Sequence, residues 1–188
     1  MEEEAKTETE AKVKVKTKIK IANIVVKAVF AGGSVREKDR KVVRIGLPKP
    51  KLPKPESRER NITGVLVAHK KEPLCTITIS GIKKFEEIEE VIKAIEKRGE
   101  AGSCRGYEIV NIVATFKAGR SVDLESLASA LENARCDLER FPGVIIDVSD
   151  KVRGVVFSTG HVNIAGARSM AEVEEARRHL LKLVSLWG

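Results

Sequence analysis

The chain has 188 residues and a net charge of +8, a length that allows one domain with a proper core or two fused half-domains. No apolar run approaches the roughly 20 residues of a membrane helix, and the acidic opening MEEEAKTETE does not resemble a secretory signal. Three widely spaced cysteines (Cys75, Cys104 and Cys136) argue against a disulfide framework or a zinc site, and favour a reducing, cytoplasmic compartment.

The first half of the chain predicts a sheet interrupted by a basic insertion. We expect residues 1–18 to form an acidic, lysine-rich extension, disordered at least over 1–11. A turn is expected at Gly32-Gly33. The predicted elements that follow are strands at 13–30, 41–47, 62–69 and 74–80 and a helix at about 84–98. The segment PKPKLPKPES must be an exposed loop, since proline is excluded from a sheet interior.

Positive charge is concentrated in two stretches of this half. Residues 36–60 hold ten basic and four acidic side chains, a net charge of +6, and Lys49, Lys51 and Lys54 are candidates for phosphate contacts. Lysines also alternate with smaller residues from Lys12 to Lys20, which places them on one face of a strand. Such charge favours a polyanionic partner, nucleic acid above all. The alternating row is equally typical of a solvated edge strand.

The second half predicts a simpler alternation of strands and helices. Its predicted elements are strands at 107–117, 143–148, 153–158 and 161–166 and helices at about 123–135 and 170–184. Asp123 is a candidate N-cap of the first helix, and Ser169 with Glu172 forms a capping box before the second. Helices packed on one face of an antiparallel sheet leave the other face available to bind something large.

The two halves contain the same sequence patterns. NIVVKAVFAGGSV at 23–35 returns as NIVATFKAGRSV at 111–122, and GIKKFEEIEEV at 81–91 returns as GARSMAEVEEA at 166–176. Asn23 thus matches Asn111, and Gly81 matches Gly166. The spacing between matched residues of the two copies is too long for a solenoid repeat. It indicates a duplicated α+β unit, with copies at 19–99 and 104–188 that build one surface jointly.

The second copy resembles a repeat of the archaeal and eukaryotic TATA-box-binding protein family. The resemblance rests on YEIVNIVATFKAGRSVDLESLASALENARCDLERFPGVIIDV followed by GVVFSTGHVNIAGARS, and covers about 104–184. It implies an α+β saddle of two pseudo-symmetric repeats, with a curved antiparallel sheet and helices on its convex face. The implied function is binding the minor groove of A/T-rich promoter DNA in archaeal transcription. The residues themselves show no nucleophile motif and no metal-ligand spacing, so we expect no enzymatic activity, cofactor or metal.

The resemblance also implies particular roles for residues of this chain. One asparagine from each repeat lies at the pseudo-dyad, a valine two positions on touches bases, and paired phenylalanines wedge between base steps. The implied DNA-facing residues are Asn23, Val25, Asn111, Val113, Phe141, Phe157, Thr159, His161 and Asn163. Asp137 and Glu139 match an acidic pair that helps bind transcription factor B, although an ordinary solvated charge pair is an equal alternative.

The first copy departs from the pattern of the family. An alignment of NITGVLVAHKKEP places Ile62 where a wedge phenylalanine is expected, so this end should make only a shallow apolar contact. Neither Phe30 nor Phe85 fits the role of a wedge. The usual first helix looks replaced by the basic segment 36–60. We therefore expect any bending of DNA to be asymmetric.

The second copy has departures of its own. Asp147 lies where a phosphate-binding basic residue is common, which is unfavourable beside DNA. His161, Asn163 and Ala165 stand where Lys, an apolar residue and Thr are usual. These changes support a second hypothesis, in which the same fold holds RNA, a ribonucleoprotein or a protein partner. A domain that accompanies an enzyme is a third, although no catalytic motif is evident.

Overall fold

A computed structural model of the chain describes residues 18–31, 40–45, 62–69, 73–99 and 101–187. Several expectations fall outside these ranges: the disorder of the N-terminal extension, the lysine row before Lys18, and the turn at Gly32-Gly33. The three candidate phosphate-contacting lysines of the basic segment also lie outside the described residues.

The described residues form one antiparallel sheet with three helices. The elements are β1 (Lys20–Ala31), β2 (Arg40–Ile45), β3 (Ile62–Ala68), β4 (Leu74–Ile82), α1 (Glu87–Lys97), β5 (Ser103–Lys117), α2 (Leu124–Ser129), β6 (Ala134–Cys136), β7 (Gly143–Asp147), β8 (Arg153–Phe157), β9 (His161–Ala167) and α3 (Met170–Leu186). The order of strands is β2-β3-β4-β1-β5-β9-β8-β7-β6, so a single sheet runs continuously through both halves. The predicted saddle is confirmed.

One face of this sheet is buried beneath the helices. Alternate residues of β1 are fully buried, from Ile24 to Phe30, while those between them are partly or fully exposed. The helices contribute Ile88, Val91, Ile92 and Ile95 of α1 and Val173, Ala176, Leu180 and Val184 of α3 to the same core. Both helices therefore lie on the convex side as predicted, and the opposite, concave face is left uncovered by them.

The two repeats meet where β1 pairs with β5. Ile24 lies opposite Ile112, and on either side Asn23 faces Val113 and Val25 faces Asn111. Each strand also carries one extra, bulged residue directly before its asparagine, Ala22 in β1 and Val110 in β5. The pairing is therefore symmetric about the Ile24–Ile112 pair, which marks the pseudo-dyad that the duplication predicts.

The same symmetry identifies the counterparts of the outer strands. Gly64 of β3 pairs with Ile79 as Gly154 of β8 pairs with Ile164, so β3 corresponds to β8. Three residues further along each strand, Val67 is the counterpart of Phe157. The alignment of Ile62 with a wedge phenylalanine is therefore wrong: Ile62 opens β3 on the buried face and is 1% exposed.

The register also corrects the expected role of the basic segment. Residues 40–45 form β2, the counterpart of β7, and residues 46–61 connect β2 to β3 where the second repeat has only the turn at 148–152. The prediction that 36–60 replaces the first helix is thus wrong for most of the segment. Only residues 32–39 connect β1 to β2, whereas residues 118–142 connect β5 to β7 and include α2 and β6.

Helix α2 is shorter than its sequence predicts. Asp123 caps it as expected, since its carboxylate accepts hydrogen bonds from the backbone N–H groups of Glu125 and Ser126. The Ser126 hydroxyl also bonds this carboxylate and, with the backbone, lowers the pKa of Asp123. The helix ends at Ser129 instead of 135 because Asn133 bonds twice to the main chain of Asp147, which draws the following residues into β6.

Candidate nucleic-acid interface

The concave face is built from the strand residues that alternate with the core. At its centre are Asn23, Val25, Asn111 and Val113, all partly exposed and next to the pseudo-dyad. Diagonal neighbours across such an antiparallel pair lie about 7–8 Å apart, so the two asparagines are close together. The register thus places both asparagines next to the pseudo-dyad.

Each asparagine is held by a glycine of its own repeat. The Asn23 side-chain oxygen accepts a hydrogen bond of 2.8 Å from the backbone N–H of Gly81, and Asn111 accepts one of 2.8 Å from Gly166. Both glycines sit at register shifts, in β4 and in β9, with φ of 99° and 94°. That left-handed backbone favours glycine and turns its N–H toward the asparagine.

These bonds fix which end of each amide faces outward. A backbone N–H can only donate, so the atom it meets must be the amide oxygen and not the nitrogen. The NH2 groups of Asn23 and Asn111 have no hydrogen-bond partner among the described residues. The centre of the concave face therefore presents two pairs of N–H donors, flanked by the aliphatic side chains of Val25 and Val113.

An aromatic pair lies near the outer end of the second repeat. The ring centroids of Phe141 and Phe157 are 6.0 Å apart at an interplanar angle of 56°, and Phe141 is 38% exposed. Gly143 makes room for both rings, because a Cβ there would lie 3.2 Å from the Phe141 ring and 3.3 Å from the Phe157 ring. The two phenylalanines proposed as wedges thus form one cluster supported by the strand beneath it.

The described part of the first repeat has no comparable cluster. Val67, the counterpart of Phe157, is an aliphatic residue that is 48% exposed. Phe30 is fully buried, and Phe85 packs against the core before α1. This agrees with the expectation that neither phenylalanine serves as a wedge, and the two ends of the concave face differ in shape.

Asp147 is paired with two arginines, which the sequence does not reveal. Its Oδ1 atom lies 3.0 Å from Nη2 of Arg135 and 3.0 Å from Nε of Arg153. All three side chains are substantially exposed, and the cluster carries a net charge of +1. A lone carboxylate would repel the phosphates of DNA, but this carboxylate belongs to a group with a small positive net charge, so the expected repulsion does not arise.

Other predicted interface residues lie along β9 and the turn before it. The Thr159 hydroxyl and Nδ1 of His161 are 3.0 Å apart, and both residues are exposed. Asn163 follows on the same face, opposite Thr115 on β5 and Val155 on β8. On the opposite side of the pseudo-dyad from Asn163, the carboxylate of Glu108 forms an ion pair of 3.5 Å with Lys27.

The candidate partner-binding residues lie apart from these groups. Asp137 and Glu139 are both exposed in the connection between β6 and β7, just before Phe141. Asp137 forms an ion pair of 3.7 Å with the highly exposed Arg140. The acidic pair is therefore accessible to a partner.

Sequence reasoning missed the glycines that hold the asparagines. Gly81 and Gly166 are matched between the two copies, but they suggest only the starts of the following helices. The usable signal is that each glycine and its asparagine are duplicated together, a pattern expected of two residues in contact. Nothing comparable points to the Arg135–Asp147–Arg153 cluster, which depends on pairing between β6, β7 and β8.

Comparisons with known proteins agree best over the second repeat. The family model for "Transcription factor TFIID (or TATA-binding protein, TBP)" matches residues 106–186. The TATA-box-binding protein of Methanocaldococcus jannaschii is 42% identical over 76 residues, covering 40% of this chain and 42% of that relative. That of Pyrococcus abyssi is 34% identical over 119 residues, covering 60% and 62%. The chain thus spans about half the length of the relatives it matches.

A solved structure extends the likeness in fold to nearly the whole chain. Methanococcus jannaschii TBP superposes with a TM-score of 0.64 and 22% identity, over 89% of this chain and 98% of that one. Identity this low shows the shared fold alone. Within the described ranges of this chain, no helix is long and apolar enough to cross a membrane.

Proposed function

We propose that this chain, whose residues 106–186 match the TATA-binding protein family model, belongs to that family and that its concave face binds the minor groove of A/T-rich promoter DNA. The observation that carries the proposal is the orientation of Asn23 and Asn111. Each offers its NH2 group at the pseudo-dyad, because its oxygen is bonded to a glycine N–H. We place this activity in archaeal transcription initiation or its regulation.

The chemistry of the minor groove fits these donors. An A·T pair presents only acceptors there, adenine N3 and thymine O2, whereas a G·C pair adds the donating amino group of guanine. The two fixed NH2 groups at the centre of the site would donate to the acceptors of an A·T pair and would meet a like donor on a G·C pair. Val25 and Val113 beside them supply apolar contact without any competing polar group.

The aromatic cluster suits the deformation that such binding requires. Minor-groove proteins insert apolar wedges between base steps, and the unstacking costs a few kcal/mol per step, which the wider contact must offset. Phe141 is exposed, Phe157 is partly exposed, and the two adjacent rings are supported by Gly143. We propose that they kink the duplex at the end covered by the second repeat.

Asn111→Asp is the most direct test of the readout. The carboxylate can still accept the Gly166 N–H, but it replaces the outward donors with an anion that faces base acceptors. One such readout contact contributes about 1–3 kcal/mol, so we expect binding to an A/T-rich duplex to weaken by roughly 5- to 150-fold. Fluorescence anisotropy with A/T-rich and scrambled duplexes measures the change.

The matched control for this variant is Arg178→Ala on the outer surface of α3. It changes the net charge by the same amount, but from an exposed position in a helix of the convex side. Equal weakening by both variants would attribute the effect to charge alone. Unchanged affinity in Asn111→Asp would contradict the proposed interface.

The basic segment is proposed to add affinity without sequence information. Lys49, Lys51 and Lys54 lie among prolines, and each phosphate they neutralise should steepen the dependence of log affinity on log salt by about 0.9. Replacing all three with alanine should therefore flatten the salt slope and weaken specific and scrambled duplexes alike. Titrations at two salt concentrations test this, and an unchanged slope would show that these lysines contact no phosphate.

The same titrations separate the proposal from its rival. A structured RNA included beside the two duplexes would bind more tightly than A/T-rich DNA if the fold had diverged toward RNA. Loss of RNA binding alone in the triple lysine variant would point the same way.

We also propose that Asp137 and Glu139 form part of a contact with transcription factor B. Both carboxylates are exposed next to the aromatic cluster, where a protein that recognises the kinked duplex could reach them. The proposal rests on their correspondence to the acidic pair of the family and on this accessibility.

A further inference from the structure

The side chain of Asn163 differs from the two central asparagines in one respect. Among the described residues, nothing hydrogen-bonds its amide, and the glycine N–H that occupies the oxygen of Asn23 or Asn111 has no equivalent beside it. Asn163 is partly exposed on the concave face, between Thr115 of β5 and Val155 of β8. Its carbonyl oxygen is therefore available to accept a hydrogen bond from a ligand.

Guanine supplies the only donor that a base pair presents in the minor groove. An aliphatic residue facing that amino group would leave it desolvated and unpaired, which discriminates against G·C. An amide whose oxygen is available can accept from it, and the same amide turned over can donate to adenine N3 or thymine O2. Position 163 therefore has the chemistry to accommodate either kind of base pair.

The residues that follow Asn163 on the concave side of β9 are small. Ala165 lies two positions along β9 on the same face, and both it and the following Gly166 are small. In the first repeat, Thr78 is the counterpart of Asn163. Thr78 lies opposite Lys27 of β1, just as Asn163 lies opposite Thr115 of β5. Only the second repeat thus carries an amide at this point of the concave face.

From this arrangement we propose that Asn163 is a specificity-determining residue that admits a G·C pair into the target. The pair would lie beneath the second repeat, between the central asparagines and the Phe141–Phe157 cluster. This inference rests on the proposed minor-groove function. It predicts a binding site that is A/T-rich at the centre and permissive toward G·C at one flanking position.

Inosine isolates the contact experimentally. An inosine·cytosine pair lacks the guanine amino group but keeps the major-groove edge of a G·C pair. We would place each pair in turn at every position of an A/T-rich duplex, and measure the affinity of the full chain and of Asn163→Val by anisotropy. Thr78→Val is the matched control at the symmetric position.

For the wild-type chain we expect one position where G·C binds at least as tightly as inosine·cytosine. Asn163→Val should bind inosine·cytosine about tenfold more tightly than G·C at that same position, within the range of a single base-pair mismatch. Thr78→Val should leave the wild-type pattern at that position unchanged.

Two outcomes would overturn the inference, and they are distinguishable. If the wild-type chain binds the A/T-rich duplex but prefers inosine·cytosine at every position, Asn163 does not admit guanine while the proposed function stands. If the chain does not distinguish A/T-rich from scrambled duplex at all, the proposed function and this inference fail together.

Discussion

Phe157→Ala should abolish most of the bend that the proposed binding introduces into an A/T-rich duplex. The ring lies 6.0 Å from that of Phe141, so removing it deletes half of the aromatic cluster and leaves the other ring without support. Unstacking a base step costs a few kcal/mol, which a lone ring should not offset. Energy transfer between dyes at the two ends of the duplex measures the bend, and circular dichroism verifies the fold.

The first repeat supplies matched variants for this experiment. Val67→Ala changes the counterpart of Phe157 and should alter the bend little, because an exposed valine makes no wedge. Val67→Phe should increase the bend by adding a ring at the opposite end. Ile62→Ala is not a suitable control, since that side chain is buried in the core and its loss would destabilise the fold. Equal losses of bending from Phe157→Ala and Val67→Ala would contradict the asymmetry.

Gly166→Ala should destabilise the chain severely. A Cβ at this position would lie 1.8 Å from the backbone oxygen of Lys151, and φ of 94° is strained for any residue with a side chain. The turn between β7 and β8 would have to move away from β9. We expect the free energy of unfolding to fall by about 3 kcal/mol or more, which lowers Tm by about 6 °C or more for a chain of this length.

Gly99→Ala separates strain of the backbone from the clash. Gly99 also has a positive φ, 72°, but no atom of the described residues lies within 4 Å of the place its Cβ would occupy. It should cost only about 1–2 kcal/mol, the penalty of a left-handed conformation. Thermal unfolding of both variants compares them directly, and similar losses would show that the contact with Lys151 is unimportant.

The sequence predicts the centre of the molecule well. The duplication alone relates Asn23 to Asn111, and because paired copies of one strand must be symmetric, it also predicts that these residues flank a dyad. Hydrophobic periodicity predicts α1 and α3, since each helix packs on the core through one face. These features depend on patterns within a few residues or on the match between the copies.

The periphery could not be predicted in the same way. Local similarity aligns Ile62 with a wedge phenylalanine. The face on which a strand residue lies depends on how its strand pairs, however, and a shift of one residue exchanges the two faces. The end of α2 is decided by two hydrogen bonds between Asn133 and Asp147, which compete successfully with local helix propensity. The pairing of Asp147 with Arg135 and Arg153 likewise requires three strands to be in place.

The asparagine–glycine bonds have a consequence for how such a molecule can evolve. Asn23 is oriented by Gly81 and Asn111 by Gly166, so neither copy borrows from the other to hold its own amide. Mutations at the rim of one copy therefore leave the central pair intact. Selection can reshape one half while the ancestral contact at the middle persists, and a symmetric ancestor can give rise to a binding surface whose two ends differ.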